Sequence, residues 1–282
     1  MIISIIILNY KTKELTLLLL DSLFENYRKE IERNKIEIIL ADNASSDDSV
    51  AFFKKSKYFS KVKLIENKDN FGFSKGNNIA ARNAKGKYLL FLNSDTEVKD
   101  RNFLRMTKFL NENKDIGILG GKLINKDGSK QASCGKFYTP FNLLLMLLGG
   151  ERFGLLRESP SRIKQVDWVS GACFMIDRSS FEKLKGFDEN IFMYIEDMEL
   201  CYRAKKEGFL TYFYEDIKLI HRQLGSSNRS FAIENIYHGL LYFYKKHMKK
   251  KYLIAYWMLK TKAVLLNFLG KESYEEIIKV FR

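Results

Sequence analysis

The chain has 282 residues, of which 46% are hydrophobic and 14% aromatic, and this composition excludes a disordered chain. Its 48 lysines and arginines against 34 acidic residues give a net charge of +14, which indicates an anionic partner: nucleotide phosphates, nucleic acid or an acidic membrane surface. The three cysteines are isolated in the sequence, so neither a disulfide framework nor a zinc cage is expected, and a reducing cytoplasm fits.

The first third of the chain alternates apolar strands with helices. Strands are predicted over residues 2–8, 36–40, 62–65 and 88–92. The first strand has no basic segment before it and no small-residue cleavage site after it, so it is interpreted as a strand rather than a signal peptide. Helices are expected after Thr12 to about residue 24, after Asp47, and up to residue 84. This order predicts parallel βαβ units in a doubly wound sheet.

Polar side chains follow three of these strands. Asp42, Asn70 and Asp95 each stand in a loop just after an apolar run. Ligands of open α/β sheets bind beyond the carboxyl ends of the strands, so these loops predict one cleft at one sheet edge. Asp95 would lie at its lip, with its oxygens free to hold a cation. The alternative for Asp95 alone is an ordinary aspartate-rich turn or helix cap.

The second half is less regular. A helix is predicted over residues 102–111, a strand over 116–124 and a hairpin turn over 125–128. Residues 141–148 form an apolar run too short to span a bilayer, interpreted as core in preference to an exposed hydrophobic lip. Residues 166–176 are strand-like, and small residues in their middle would let a ligand approach the backbone.

Three further elements follow in the second half. They are a short helix capped by Ser179 or Ser180, a helix opening within residues 192–203 that Gly208 stops, and a strand over residues 210–214 with His221 beyond it.

The C-terminal stretch is basic and aromatic. No acidic residue occurs between Glu234 and Glu272, while residues 245–251 contain five lysines and residues 253–269 are mostly apolar. Placing Lys260 and Lys262 in a bilayer centre would cost about 2.5–3.5 kcal/mol each. We therefore expect helices lying at a membrane surface rather than crossing it. The alternative is a solvated basic face on an ordinary packing helix.

A set of motifs carries a resemblance over about residues 2–227. They are NY at 9–10, DNASSD at 42–47, NFGFSKGNN at 70–78, LNSD at 92–95, WVSGA at 168–172, GFDE at 186–189, EDMELCYR at 196–203 and His221. In this order and spacing the chain resembles a family 2 glycosyltransferase of the GT-A fold. It is most similar to the bacterial rhamnosyltransferase-like members that build cell-surface polysaccharides.

The resemblance implies a fold and a division of the chain. The fold class is α/β: a Rossmann-like, mostly parallel central sheet with helices on both faces, plus C-terminal amphipathic helices. Residues 1–230 would be the catalytic domain, with a nucleotide-binding half of about 1–97 and an acceptor half of about 98–230. Residues 231–282 would be a basic aromatic helical tail that contacts the membrane surface.

The resemblance also implies a donor site. Asp42 would accept a hydrogen bond from the imide N–H of a pyrimidine, which suits an acceptor-only carboxylate, and Tyr10 would pack on the base. The glycine-containing loop 70–78 would approach the nucleotide closely, next to a helix N-terminus that favours anions. The implied nucleotide-binding residues are Asn9, Tyr10, Asp42, Asn70, Gly72, Asn78, Asn93 and Ser94.

A metal site is implied beside the nucleotide. Asp95 matches the last position of the family's Asp-x-Asp signature, whose first position is Asn93 here. His221 resembles the second ligand. A carboxylate, an imidazole and diphosphate oxygens suit Mn²⁺ or Mg²⁺, and the imidazole favours Mn²⁺.

The implied catalytic base of an inverting transfer is Asp197, which would take the proton of the acceptor hydroxyl. The acceptor and sugar pocket is expected to contain Trp168, Gly171, Ala172, Glu196, Glu199 and Arg203. For Trp168 a core position is the alternative. Ser226 and Ser227 are interpreted either as donors to phosphate oxygens or as turn residues.

These implications predict a transferase that uses a UDP- or dTDP-sugar and a glycan or lipid-linked glycan acceptor, in the cytoplasm at the inner face of the membrane. The alternative is a non-catalytic module that binds nucleotide-sugars or nucleic acid. The chain shows no nucleic-acid motif and its lysines concentrate in the tail, so nucleic acid is not expected. A nicotinamide dehydrogenase is excluded, because no Gly-x-Gly-x-x-Gly follows the first strand.

Overall fold

The computed structural model describes residues 1–223, 228–271, 274 and 276–281. Its strands are β1 (Ile3–Asn9), β2 (Ile36–Asp42), β3 (Val62–Glu66), β4 (Tyr88–Asn93), β5 (Thr96–Val98), β6 (Ile116–Ile124), β7 (Lys130–Gln131), β8 (Cys134–Gly135), β9 (Arg157–Glu158), β10 (Lys164–Val166), β11 (Trp168–Val169), β12 (Cys173–Asp177) and β13 (Leu210–His221). Its α-helices are α1 (Lys13–Glu32), α2 (Ser49–Lys55), α3 (Gly72–Ala81), α4 (Phe103–Glu112), α5 (Pro140–Leu147), α6 (Arg178–Lys183), α7 (Glu196–Lys206), α8 (Arg229–His247) and α9 (Tyr252–Phe268).

The predicted parallel strands form one half of the central sheet. Their order is β4-β1-β2-β3, all parallel, and β1, β2 and β4 are almost wholly buried, as expected for strands covered on both faces. The register places Asn9 opposite Asp42 and Leu8 opposite Asn93. The polar ends of β1, β2 and β4 therefore meet at one edge, as the sequence predicted.

The same sheet continues into the second half of the chain. Strand β12 runs antiparallel between β4 and β6, and β13 lies parallel to β6 on the other side. Strand β5, which contains residue 97, pairs with β13. The two halves expected from the sequence thus share one sheet. The α/β fold is confirmed, with antiparallel strands in the second half, and a small sheet of β11, β8 and β9 stands beside it.

Three predicted element boundaries were wrong for reasons of tertiary packing. Helix α1 runs past residue 24 to Glu32, because Tyr27 and Ile31 continue its buried face. The predicted strand 166–176 is broken into β10, β11 and β12, and between them the Gly171 N–H bonds to Asp197 instead of a neighbouring strand. Strand β13 is longer than expected, so that His221 is its last residue rather than lying beyond it.

Two helix ends also differ from the prediction. Helix α3 stops at Ala81, not residue 84. Helix α6 is capped by Asp177, whose carboxylate accepts from the Ser179 N–H at 2.9 Å, rather than by Ser179 or Ser180. The hairpin turn at 125–128 is confirmed by the bond from Gly128 N–H to the Asn125 carbonyl and by the antiparallel pairing of β6 with β7.

The apolar run 141–148 is divided between the core and an exposed hydrophobic lip. It forms most of α5, in which Leu143 is fully buried and residues 145–147 pack against the core. Phe141 is 68% exposed, and Leu148, which follows the helix, is 73% exposed. The helix also contacts α9. Both interpretations of the run are therefore met in part.

The C-terminal helices α8 and α9 pack on the α/β core through one face. Buried residues of α8 and α9 belong to the same core as β6 and α7, and residue 230 lies inside α8. The opposite face of α9 exposes Leu253, Trp257 and Phe268. No helix in the described part of the chain is both long and apolar enough to span a membrane.

Candidate active site

A cavity of about 760 Å³ opens at the edge where β1 and β4 end. It is lined by twelve of the residues predicted from the sequence: Tyr10, Asn70, Gly72, Asn93, Ser94, Asp95, Trp168, Gly171, Ala172, Glu196, Asp197 and His221. Two remote parts of the sequence, the turn after β4 and the start of α7, therefore meet at one cavity. Asn9, Asp42, Asn78, Glu199 and Arg203 do not line it.

Asp95 and His221 form a pair in the cavity wall. Pairing of β5 with β13 places His221 opposite Thr96, and His221 Nε2 lies 3.4 Å from Asp95 Oδ1. Both residues are largely buried: the side chain of His221 is 16% exposed and that of Asp95 is 6% exposed. The sequence predicted both residues as ligands, and the structure brings them together.

Gln131 of β7 fixes the orientation of the His221 ring. The Gln131 amide nitrogen donates to the backbone carbonyl of His221 at 2.5 Å and to Asn125 Oδ1 at 2.5 Å, so its amide oxygen must face the ring. That oxygen lies 3.0 Å from His221 Nδ1 and accepts its proton. In the neutral ring the lone pair of Nε2 then faces the carboxylate of Asp95. Such an arrangement needs a proton or a cation between the two groups.

The residues present fit a divalent metal ion of the Mn²⁺ or Mg²⁺ type. One carboxylate and one imidazole with an oriented tautomer are suitable ligands, and Asn93 Oδ1, also in the wall, is buried without a hydrogen-bond partner. Among the described residues no group of three or more His, Cys, Asp or Glu side chains could hold a metal. Most ligands would therefore come from the substrate and water.

Asp197 lies in the first turn of α7 on another wall. Its Oδ2 accepts from the Gly171 N–H at 3.0 Å, and its Oδ1 accepts from the Met198 N–H at 2.7 Å. These bonds leave each oxygen with a free lone pair and fix the carboxylate against the wall that contains Gly171 and Ala172. A proton acceptor held in this way suits general-base chemistry.

Glu196 and Asp197 are adjacent acidic groups with different surroundings. Burial raises the pKa of the Asp197 carboxyl, although the hydrogen bonds from Gly171 and Met198 oppose the rise. Burial and the charge of Asp197 raise the pKa of Glu196 well above its ordinary value, and its Oε2 has no hydrogen-bond partner. Of the two carboxyls, Glu196 therefore holds its proton to the higher pH, and Asp197 ionises first.

The backbone before α7 is strained. Tyr194 and Ile195 are consecutive non-glycine residues in the left-handed region, with φ of 65° and 70°. Such residues cost about 1–3 kcal/mol each and cluster at functional sites. Both line the cavity, and they set the direction in which α7 presents Glu196 and Asp197.

Asn9 joins the strand ends beneath the cavity. It is fully buried, donates to Asp42 Oδ1 at 2.7 Å, and accepts from the hydroxyls of Thr12 and Thr16 at 3.0 and 2.9 Å. Thr12 in turn lies 2.8 Å from the Ser94 hydroxyl. The structure thus gives Asn9 a place in the scaffold of the site, whereas the sequence placed it against the nucleotide.

Asp42 is also held internally. It is 1% exposed, and its second oxygen accepts from the Ser45 N–H at 2.9 Å. The next residue, Asn43, lines the cavity and was missing from the predicted site. Its amide nitrogen donates to Asn70 Oδ1 at 2.8 Å and to the Gly72 carbonyl at 3.1 Å. Its position directly after Asp42 was the feature of the sequence from which Asn43 could have been predicted as a site residue.

Gly72 is required by a close contact between loops. Its φ is +73°, and a Cβ atom there would lie 2.3 Å from the carbonyl oxygen of Phe192. The following N–H, of Phe73, donates to that same carbonyl at 2.6 Å. Glycine at this position therefore fixes the loop before α7 against α3, which is a contact within the protein.

Three predicted site residues make their contacts inside the protein: Asn78, Glu199 and Arg203. Asn78 donates to the Phe187 carbonyl and accepts from its N–H, both at 2.9 Å. Glu199 forms an ion pair with Arg203 at 2.7 Å, and Arg203 also donates to the Leu184 and Gly186 carbonyls. The structure places these side chains behind the wall, because they point toward neighbouring loops rather than into the cavity.

Further lining residues come from segments that carry no motif. They are Thr12, Tyr138, Glu151, Arg157 and Arg229. Tyr138, Glu151 and Arg157 lie between the motifs, where the sequence shows neither periodicity nor a clear element. Ser226 and Ser227 lie outside the described residues.

The mixed α/β sheet, with a cavity at the carboxyl ends of its parallel strands, has the architecture of GT-A glycosyltransferases. The sequence model of glycosyl transferase family 2 matches residues 4–185, which is more than half of the chain. The chain belongs to this family.

Similar proteins agree with this assignment. The chain is 28% identical over 229 residues to the low-salt glycan biosynthesis hexosyltransferase Agl10 of Haloferax volcanii, covering 78% of this chain and 67% of the relative. It is 29% identical over 220 residues to the rhamnosyltransferase WbbL of Escherichia coli K12, covering 74% and 80%. The mannosyltransferase PcManGT of Pyrobaculum calidifontis, solved with GDP-Man and Mn²⁺, has a TM-score of 0.62 at 17% identity, covering 96% of this chain and 75% of that chain. The similarity to PcManGT shows that the two chains share a fold.

Proposed function

We propose that this protein is an inverting, metal-dependent glycosyltransferase. It moves a sugar from a UDP- or dTDP-sugar to a glycan or lipid-linked glycan acceptor in the synthesis of a cell-surface polysaccharide. The observation that carries the proposal is that the Asp95–His221 pair and Asp197 face the same cavity. Relatives named as hexosyltransferase and rhamnosyltransferase support the reaction class.

The donor is proposed to bind along the carboxyl ends of β1 and β4. Tyr10, Asn70 and Gly72 line this part of the cavity and would contact the nucleoside. Asp95 and His221 would hold Mn²⁺ or Mg²⁺, which neutralises charge on the departing diphosphate when bound. Ser94 and Asn93 stand beside them with polar side chains for the ribose and phosphate oxygens.

The acceptor is proposed to bind between Trp168 and the start of α7. Asp197 would accept the proton of the attacking hydroxyl while that oxygen forms its bond to the anomeric carbon from the side opposite the diphosphate. Attack from the opposite side inverts the configuration at that carbon. Gly171 holds the carboxylate of Asp197 in place through its N–H, and Asp197 loses its proton at lower pH than the adjacent Glu196 does.

The C-terminal helices are proposed to hold the enzyme at the inner face of the membrane. Lys249, Lys250 and Lys251 are exposed next to the apolar face of α9 that carries Trp257 and Phe268. Amphipathic helices with neighbouring lysines bind anionic bilayers in the interface plane. Such an arrangement would bring the cavity to a lipid-linked acceptor.

The decisive experiment compares wild type with Asp197→Asn. Nucleotide-sugars are screened for hydrolysis or transfer with Mn²⁺, and UDP and dTDP binding is measured by calorimetry. We expect Asp197→Asn to lower kcat about 10²–10⁴-fold while nucleotide affinity changes little. Equal turnover in the two proteins would remove Asp197 as the base. Nucleotide binding without turnover of any donor by wild type would favour the non-catalytic binding module.

A further inference from the structure

A cationic side chain outside the family motifs lies in the cavity wall. Arg157 begins β9, which pairs with β8 and through it with β11, the strand of Trp168. Its Nη2 donates to the Ala132 carbonyl at 3.2 Å, and its guanidinium lies 5.3 Å from the centroid of the Trp168 ring. The guanidinium is thus held by a carbonyl and by an aromatic face.

Arg157 has no carboxylate partner among the described residues. It makes no ion pair there within 4 Å, and its buried Nε lacks a hydrogen-bond partner altogether. A buried guanidinium nitrogen without a partner is costly, so it indicates a group that arrives with a ligand. The charge of Arg157 does reach Asp197, where it opposes the rise in pKa caused by burial. Arg157 therefore stands on the acceptor side.

The other cavity arginine has a different place. Arg229 opens α8, is exposed, and follows the chain segment that leaves His221. It therefore belongs to a different stretch of the chain from Arg157, which contacts the Trp168 ring. Arg157 is the arginine on the Trp168 side of the cavity.

An apolar surface adjoins the wall that contains Arg157. Helix α5 and the 3₁₀ turn Gly150–Phe153 contribute Met146 and Glu151 to the cavity. Three large hydrophobic side chains of this stretch are exposed to solvent: Phe141, Leu148 and Phe153. The side chain of Phe153 has an exposed fraction of 79%. The Arg157 cation in the cavity wall and the apolar surface outside the cavity therefore lie on neighbouring segments of the chain.

We propose that Arg157 binds a phosphate of the acceptor, and that the acceptor is a glycosyl phosphate or diphosphate on an apolar chain that leaves the cavity over α5 and the Gly150–Phe153 turn. This inference rests on the proposed function, since it takes the Asp197 side of the cavity as the acceptor side. The planar, forked guanidinium matches phosphate geometry, and the Trp168 ring and the Ala132 carbonyl hold it in the cavity wall. Loss of such a charge-assisted bidentate contact weakens binding about 10- to 100-fold.

The test uses the full chain and decyl diphosphate as the probe. Calorimetry is run with saturating Mn²⁺ and whichever of UDP or dTDP binds, so that the donor site is filled. We expect Arg157→Gln to weaken binding of decyl diphosphate about 10- to 100-fold and Arg157→Lys to weaken it less. The matched control is Arg162→Gln, an exposed arginine five positions later in the sequence and outside the proposed binding surface, which should bind as wild type does.

Two further measurements separate the rival explanations. Asp95→Ala should leave decyl diphosphate binding unchanged; equal weakening in Asp95→Ala and Arg157→Gln would place the phosphates in the donor site and overturn the proposal. Decyl glucoside, which lacks phosphate, should bind wild type and Arg157→Gln alike. Equal loss for both probes would mean that Arg157 only shapes the wall, and unchanged diphosphate binding in Arg157→Gln would also refute the assignment.

Turnover distinguishes this inference from the proposed function. With an alkyl glycosyl diphosphate as acceptor, Arg157→Gln should raise the acceptor KM and leave the plateau value of kcat nearly unchanged, while the acid limb of the profile moves to higher pH because the charge of Arg157 no longer lowers the pKa of Asp197. A fall in plateau kcat with the acceptor KM unchanged would show that Arg157 acts through Asp197 alone, against the proposal. If wild type transfers no sugar but the binding pattern holds, the proposed function fails while the phosphate site stands.

Discussion

At the scale of single residues, the site depends on how each polar group is oriented. His221 is a suitable ligand because Gln131 accepts its Nδ1 proton and thereby turns the Nε2 lone pair toward Asp95. Asp197 is a suitable base because two backbone N–H groups hold it and because it ionises before the adjacent Glu196 does. Both arrangements depend on the residues next to the proposed ligand and base.

Replacing Gln131 by leucine tests the orientation of His221. The ring would lose the acceptor that fixes its tautomer, so we expect Mn²⁺-dependent nucleotide binding to weaken about 10- to 100-fold, the usual cost of losing such a partner. Calorimetric titration of Mn²⁺ in the presence of UDP or dTDP measures the effect. The control is Gln165→Leu, at an exposed position of β10. Unaltered Mn²⁺ affinity in Gln131→Leu would argue against His221 as a ligand.

The pH profile tests the acidic pair. A base works when deprotonated, and burial raises the pKa of Asp197, so kcat should fall as pH decreases through a value above the range of about 4 usual for aspartate. Glu196 holds its proton to higher pH than Asp197 does, so Glu196→Gln replaces one neutral group by another and should leave this acid limb in place. The profile of kcat against pH measures it, with exposed Glu182→Gln as control. An acid limb that moves to lower pH in Glu196→Gln would mean that Glu196 is charged while Asp197 titrates.

At the scale of elements, the start of α7 is anchored from behind by a buried ionic cluster. Glu199 is fully buried and accepts from Arg203 on its own helix and from Lys246 and His247 at the end of α8. Lys246 also pairs with Asp188 at 2.5 Å. The cluster fixes α7, and with it Asp197, against the first C-terminal helix. This explains why Glu199 and Arg203 belong with the motif around Asp197 without reaching the cavity.

Removing the charge of Glu199 should destabilise the protein. Burial alone would raise the pKa of Glu199, but hydrogen bonds from His247 and Arg203 lower it from 4.5 to about 2. Glu199→Gln leaves buried cations unpaired, and we expect the free energy of unfolding to fall by about 3 kcal/mol near neutral pH. Urea unfolding measures the change, with Glu207→Gln, an exposed ion-paired residue just past α7, as control.

The pH dependence of stability follows from the same pKa. Because the folded-state pKa is depressed, the contribution of Glu199 is fully present above about 4.5 and is lost as pH falls toward about 2. In Glu199→Gln this part of the acid destabilisation should be missing. A variant that loses stability over this window as steeply as wild type would contradict the cluster's role.

At the scale of the whole molecule, one surface combines apolar and basic groups. Helices α5 and α9 pack on each other and expose large hydrophobic side chains, among them Phe141, Leu148, Trp257 and Phe268. Lysines 249–251 stand at the start of α9. One face of the tail packs on the core, as the alternative interpretation expected, and contact of the exposed face with a membrane stays a prediction.

Binding to lipid vesicles tests this surface. Each lysine near an anionic bilayer contributes about 1 kcal/mol, so replacing Lys249, Lys250 and Lys251 by glutamate should lower partitioning onto phosphatidylserine vesicles by more than about 100-fold. Co-sedimentation measures the bound fraction. The control carries the same charge change at exposed lysines elsewhere, Lys114, Lys126 and Lys130. Equal loss in both variants would indicate an effect of net charge alone, without a docking face.

The sequence by itself determined the alternation of strands and helices and the polar strand ends. These features are local: apolar runs form buried strands, and the carboxyl ends of parallel strands must meet at one edge. The position of Asp95 and the motif around Asp197 could be predicted for this reason, with the family resemblance supplying their roles.

Only the tertiary structure decided which polar residues face the cavity and which support it. Asn9, Asp42, Asn78 and Glu199 have residue types as suitable for a ligand as those in the wall, but their side chains are satisfied by partners far away in sequence. Arg157 lies in a stretch without periodicity, and its place depends on the pairing of β9 with β8. Local pattern specifies secondary structure, whereas the side that a polar group faces is set by long-range packing, which no short stretch of sequence contains.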